Sequence, residues 1–130
     1  MHAKKTLVIL CSLLISFNSY AEWTQTINSE SGDVYYVDFD SIKIKGNVYY
    51  WGMVDYLKPD EWGDMSSKSL YELDCNVPQK ERKLAISFYT QPMGKGSPST
   101  EINTTQEWIY GVPNTIGMGL IEQICDHANQ

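Results

Sequence analysis

The chain has 130 residues, with 16 acidic against 10 basic side chains and a formal net charge of −6. A chain this short builds one domain with a modest core. An acidic balance with no run of lysine or arginine beyond the N-terminus argues against nucleic acid and anionic membrane as partners.

The first stretch, MHAKKTLVILCSLLISFNSYAEW, has the three parts of a secretory leader: Lys4 and Lys5, an apolar run from Leu7 to Phe17, and small or polar residues ending at Ala21. Cleavage between Ala21 and Glu22 is expected, giving a leader at 1–21 and a domain at 22–130. The apolar run is about eleven residues where a spanning helix needs roughly 20, so no membrane span is expected. A lipid-attachment cysteine follows a small residue, whereas Cys11 follows bulky Leu10. Cys11 is therefore expected to leave with the leader, and Cys75 and Cys125 remain for an exported, oxidising environment.

Beyond the leader the chain reads as strands and short turns. Candidate strands are Trp23 to Ile27, Val34 to Asp38, Val48 to Leu57, Ser69 to Cys75, Leu84 to Thr90, and a short one around Trp108 to Tyr110, all rich in aromatic and β-branched residues. Turns fall at SESGD, at KGN and around Pro59, which predicts an antiparallel meander. Asp38-Phe39-Asp40-Ser41 reads as a turn or helix-start cluster, and PMGKGSPS as a flexible hairpin loop after the strand ending at Thr90.

Side chains alternate across a strand. In KSLYELDC this puts Ser69, Tyr71, Leu73 and Cys75 on one face, and Lys68, Leu70, Glu72 and Asp74 on the other, read as solvent-facing. In the next strand Leu84, Ile86 and Phe88 fall opposite Lys83, Ala85, Ser87 and Tyr89. The same rule applies to the nine tyrosines and four tryptophans. Consecutive Tyr49, Tyr50 and Trp51 must point to opposite faces, so part of this run is presented away from the core. Tyr49, Tyr50, Trp51 and Trp62 are the candidate binding aromatics, because exposed Tyr and Trp favour interfaces.

After Pro113 the period changes. In NTIGMGLIEQICDH, at about 100° per residue, Ile116, Met118, Leu120, Ile121, Ile124 and Cys125 share one arc, which predicts a helix capped by Asn114 or Thr115. Cys75 faces inward from a central strand and Cys125 lies on the apolar flank of this helix, so a bond between them would fasten helix to sheet. The alternatives are weaker. A redox pair needs Cys-x-x-Cys, and zinc needs about four ligands where Cys75, Cys125 and His127 are the soft donors beyond the leader.

Catalytic chemistry is not indicated. His127 lies near the C-terminus, and the pairs Asp38/Asp40, Asp60/Glu61 and Glu72/Asp74 read as turn or surface carboxylates. PMGKGSPS lacks the spacing of a phosphate loop, and GMG at Gly117 to Gly119 is too short for a dinucleotide fingerprint. No catalytic residue, metal or cofactor is expected.

The order of DVYYVDFDSIKIKGN, VYYWGMVDYLKP, SLYELDC, KERKLAISFYT, QPMGKG, Glu107-Trp108 and a helix ending in Ile124-Cys125 resembles the surface-adhesin protein E family of Gram-negative bacteria. The resemblance spans essentially the whole chain after the leader. It implies an α+β fold: a single twisted antiparallel sheet of about six strands, with a C-terminal helix on one face tied to it by a Cys75–Cys125 disulfide. It also implies no enzymatic activity and adhesion to extracellular-matrix and host proteins such as laminin, vitronectin and plasminogen. The expected function is thus a non-enzymatic, periplasmic or secreted protein-binding module. The alternative is a small periplasmic inhibitor or stress-related accessory factor that captures a basic protein such as a lysozyme. A homodimer through an exposed sheet edge is a further expectation.

Overall fold

A computed structural model of the protein describes residues 22–129. The leader, Ala21 of the expected cleavage point and Cys11 lie outside the described residues. Strands β1 (Thr24–Asn28), β2 (Val34–Lys45), β3 (Asn47–Asp55), β4 (Ser66–Asp74) and β5 (Lys80–Tyr89) follow one another as an antiparallel meander. Short β6 (Thr100–Ile102) and β7 (Ile109–Tyr110) both pair with β5, making a seven-stranded sheet, and helix α1 (Ile116–Ala128) ends the described chain.

Helix α1 starts at Thr115, whose Oγ1 accepts from the Met118 N–H at 3.2 Å and satisfies one of the first turn's free donors. It buries Ile121, Ile124 and Cys125. They close over Val37 of β2, Val48 and Tyr50 of β3 and Leu73 of β4, and these seven residues form the buried core. The predicted arc is correct except at its start, where Ile116 is 40% exposed. Cys75, just beyond β4, is bonded to Cys125, with the two Cα atoms 5.9 Å apart across a separation of 50 residues.

The meander departs from regular pairing at irregularities within β2 and β5. Asp38-Phe39-Asp40-Ser41 is neither turn nor helix start. It lies inside β2 at an irregularity between Asp38 and Lys43, where Ser41 Oγ donates to the Asp38 carbonyl and accepts from the Trp51 N–H. A second irregularity leaves Leu84 without a partner, since Leu70 faces Ala85 while Tyr71 faces Lys83. The expected alternation of β5 therefore breaks there, and Lys83 lies on the same side of the sheet as Ile86.

The segment after Thr90 is more ordered than its composition suggests. Pro92–Gly94 forms a single 3₁₀ turn, pinned by Met93 N–H donating to Asp55 Oδ1 and Gly94 N–H donating to Ser66 Oγ. Gly94 is buried with φ +62 and the end of the Lys68 side chain passes against it, so a side chain here would be strained by the backbone and would have to displace Lys68.

Candidate binding face

The sheet has one covered face and one open one. On the covered side Tyr50 is 1% exposed, stacks on Tyr71 with ring centroids 4.9 Å apart, and donates its hydroxyl to Glu81 Oε2 at 2.9 Å. Gly52 makes room for the Tyr71 ring, because an added Cβ would lie 2.9 Å from Cε2. Tyr50 is thus a core residue, and the expectation that it belongs to a binding set is corrected. Burial pushes the Glu81 carboxyl above its ordinary range, against the opposing effects of the Tyr50 hydroxyl and Lys83. The Tyr50 hydroxyl is itself raised well above its usual value, chiefly by burial.

The open face begins with the neighbours of Tyr50. Tyr49 and Trp51 point the other way, as alternation requires. Glu72 follows them but is not a free surface carboxylate: it is 7% exposed. Asn47 Nδ2 and the Tyr49 hydroxyl donate to its Oε2 at 3.0 and 3.1 Å, and Arg82 Nε donates to Oε1 at 2.7 Å. Burial raises its pKa, yet these three donors and the Arg82 charge outweigh that and hold it below the ordinary range. The hydrogen bond to Glu72 in turn raises the Tyr49 hydroxyl.

Arg82 carries the row onward. Its guanidinium lies 4.3 Å from the Trp108 ring centroid, and Lys80 Nζ lies 4.7 Å from Trp108 and 5.9 Å from Tyr110. One continuous row therefore crosses β3, β4 and β5 from Asn47 and ends at Trp108, just before β7, and at Tyr110 within it. Cations held within about 6 Å of aromatic ring centroids are attracted by the ring faces, and the Arg, Tyr and Trp gathered here are the residue types enriched at interfaces.

A second group lies toward the other end of the same face. Trp23, Asp38, Trp51, Lys68, Ser87 and Tyr89 line a hollow of about 310 Å³. Lys68 Nζ sits 4.9 Å from the Tyr89 ring centroid and 6.0 Å from that of Trp23. Asp38 Oδ1 is buried and accepts no hydrogen bond from the described residues. Sequence reasoning singled out Trp51 here and missed Trp23, Lys68 and Tyr89, because their convergence depends on the register of β1 through β5.

Trp62 is elsewhere. Asp60 Oδ1 accepts from the N–H groups of Trp62 and Asp64, and this turn holds Trp62 77% exposed. With Asp64, Phe88, Thr100 and Ile102 it lines a separate hollow of about 240 Å³. Phe88 pairs with Ser67, on the helix side of the sheet, so Trp62 does not join Tyr49 and Trp51.

Among the described residues no three His, Cys, Asp or Glu side chains gather as a metal site. Nor is any helix among them long and apolar enough to cross a membrane.

Comparison with known proteins agrees with this architecture. No curated protein matches the sequence. A crystal structure of Haemophilus influenzae protein E, crystal form II, matches with a TM-score of 0.60 at 17% identity, covering 87% of this chain and 94% of that one. At that identity the likeness shows the fold. The family model described as surface-adhesin protein E matches residues 23–126, the open face and the stapled helix together. The chain therefore belongs to the surface-adhesin protein E family.

Proposed function

We propose that this protein is an exported, non-enzymatic binding module that docks a protein partner on the open face of its sheet, with host extracellular-matrix proteins as the specific version of that reading. The observation that carries it is the row of cations stacked on Trp108 and Tyr110 and continued through Glu72 to Tyr49. Interfaces concentrate their binding energy in Trp, Tyr and Arg, the residue types displayed here. The family's description as surface adhesins supports the same reading.

The test is saturable binding of the purified protein to immobilised laminin and vitronectin, with lysozyme as a basic-protein control. Truncating a central anchor should cost about 2 kcal/mol, so Trp108→Ala should weaken matrix binding about 30-fold. Absence of matrix binding, or binding undiminished in Trp108→Ala, overturns the reading. Capture of lysozyme alone, lost at high salt, points instead to an acidic inhibitor of a basic protein.

A further inference from the structure

The hollow beside Trp51 has a chemistry unlike the rest of the face, and its lining restricts what can enter. It holds one charge of each sign, Asp38 and Lys68, that do not pair with each other. Among the described residues the ion pair formed is Glu72 with Arg82. Lys68 already presents an ammonium to Tyr89 and Trp23, so a second cation entering between these rings meets like charge. An anion meets Asp38 and the acidic balance of the chain. A wholly apolar guest would strip water from the Asp38 carboxylate, whose Oδ1 already lacks a donor among the described residues, and from the Lys68 ammonium, a costly arrangement.

What remains is a neutral ligand that is apolar on one side and rich in hydroxyls at its edge. We infer that this hollow receives a single neutral pyranose ring, stacked by its C–H face on the indole surface of Trp23 or Trp51. Hydroxyls both donate and accept. One donates to the Asp38 carboxylate, another accepts from Lys68 Nζ, and the Ser87 hydroxyl serves in either sense. The volume of about 310 Å³ is at the small end of ligand sites, which run from about 300 to 1,000 Å³. It suits one ring rather than a chain of them. The inference rests on the reading of the open face as a binding surface and names the chemistry recognised at one end of it.

The experiment is tryptophan fluorescence of the full chain titrated with the methyl pyranosides of glucose, galactose, mannose, N-acetylglucosamine and N-acetylgalactosamine. Methylguanidinium and glucuronate serve as cationic and anionic controls. The expected result is saturable quenching by at least one neutral glycoside, weakened about tenfold or more in both Trp23→Ala and Asp38→Ala. Trp23 precedes the first strand, so its truncation tests the site without disturbing the core, and Trp62→Ala should leave the titration unchanged. A flat response to every neutral glycoside overturns the inference, as does quenching by methylguanidinium alone, or quenching that survives both substitutions. A parallel arm measures laminin binding before and after enzymatic removal of its glycans. Loss on deglycosylation identifies a protein-borne glycan as the source, whereas glycoside binding with unchanged laminin binding identifies a free sugar. Laminin binding that ignores deglycosylation, together with a flat glycoside response, overturns the pyranose and leaves the binding face standing.

Discussion

The two faces of this sheet solve different problems with neighbouring residues. On the covered face, Val37, Val48, Tyr50 and Leu73 are sealed by α1 and the chain is cross-linked at Cys75–Cys125. On the open face, Tyr49, Glu72, Arg82 and Trp108 are tied by directional polar contacts that keep aromatic surface beside water. Adjacent Tyr49 and Tyr50 show the division most plainly: one hydroxyl donates to Glu72 on the open face, while the other is buried against Glu81 on the covered one. Stability is thus concentrated on one side and the proposed recognition on the other, an arrangement in which the open face can vary without dissolving the fold.

Breaking the covered side should have the largest effect. The staple closes a 50-residue separation, for which the chain-entropy relation gives about 4 kcal/mol. Reduction, or the double substitution Cys75→Ala with Cys125→Ala, should lower urea-unfolding stability by about that amount. Domains of this size are stable by about 5 to 15 kcal/mol, so the reduced protein should still fold under mild conditions and retain its open face. An unchanged urea midpoint would mean that α1 is held by packing alone.

Much of that covered side was readable in the residues. Period two in KSLYELDC placed Leu73 and Cys75 inward, and the 3.6 period after Pro113 placed Ile121, Ile124 and Cys125 on one arc, so the cross-link followed from two local patterns. The open face was less legible because its contacts join different strands. Periodicity assigned Glu72 to the solvent side correctly, but its burial depends on Asn47, Tyr49 and Arg82 arriving in register from β3 and β5. Leu84 has no pattern that announces it as the unpaired residue. The Thr100–Ile102 strand is three residues among serine, threonine and asparagine, too short for alternation to show. Trp23 and Lys68 are 45 positions apart and meet through the sheet alone.

Two carboxylates sharpen the comparison, because the faces shift them in opposite directions. Glu72 is lowered in the folded protein, so its contribution is present above its ordinary value of 4.5 and is lost as pH falls through its folded pKa. Glu81 is raised above 4.5, so its folded form is favoured while protonated, and stability is lost as pH rises from 4.5 through that raised value. Glu72→Gln should therefore destabilise at about pH 7, by about 1.5 to 3 kcal/mol if the charge-assisted hydrogen bonds are lost, and should flatten the acid limb of the stability curve. Glu81→Gln keeps an acceptor for the Tyr50 hydroxyl and should stabilise at about pH 7 while matching the parent below about pH 4. Urea midpoints across pH for the two variants give the answer, and curves that move in the same direction would remove the distinction drawn between the faces.

The smallest effect on stability is expected from the residue proposed to matter most for binding. Trp108 is partly exposed and its structural contribution is two cation contacts, with Arg82 at 4.3 Å and Lys80 at 4.7 Å. Exposed contacts of this type are worth about 0.5 to 1 kcal/mol each, and Arg82 keeps its bond to Glu72 when the ring is removed. Trp108→Ala should cost about 1 kcal/mol in thermal or urea unfolding, against about 3 to 5 kcal/mol for truncating a buried aromatic such as Tyr50. Trp108→Phe, which retains a ring for the cations, should recover most of the loss. A cost for Trp108→Ala as large as that for Tyr50→Ala would show that the open face is a second core, and the separation between holding the fold and presenting a surface would not hold.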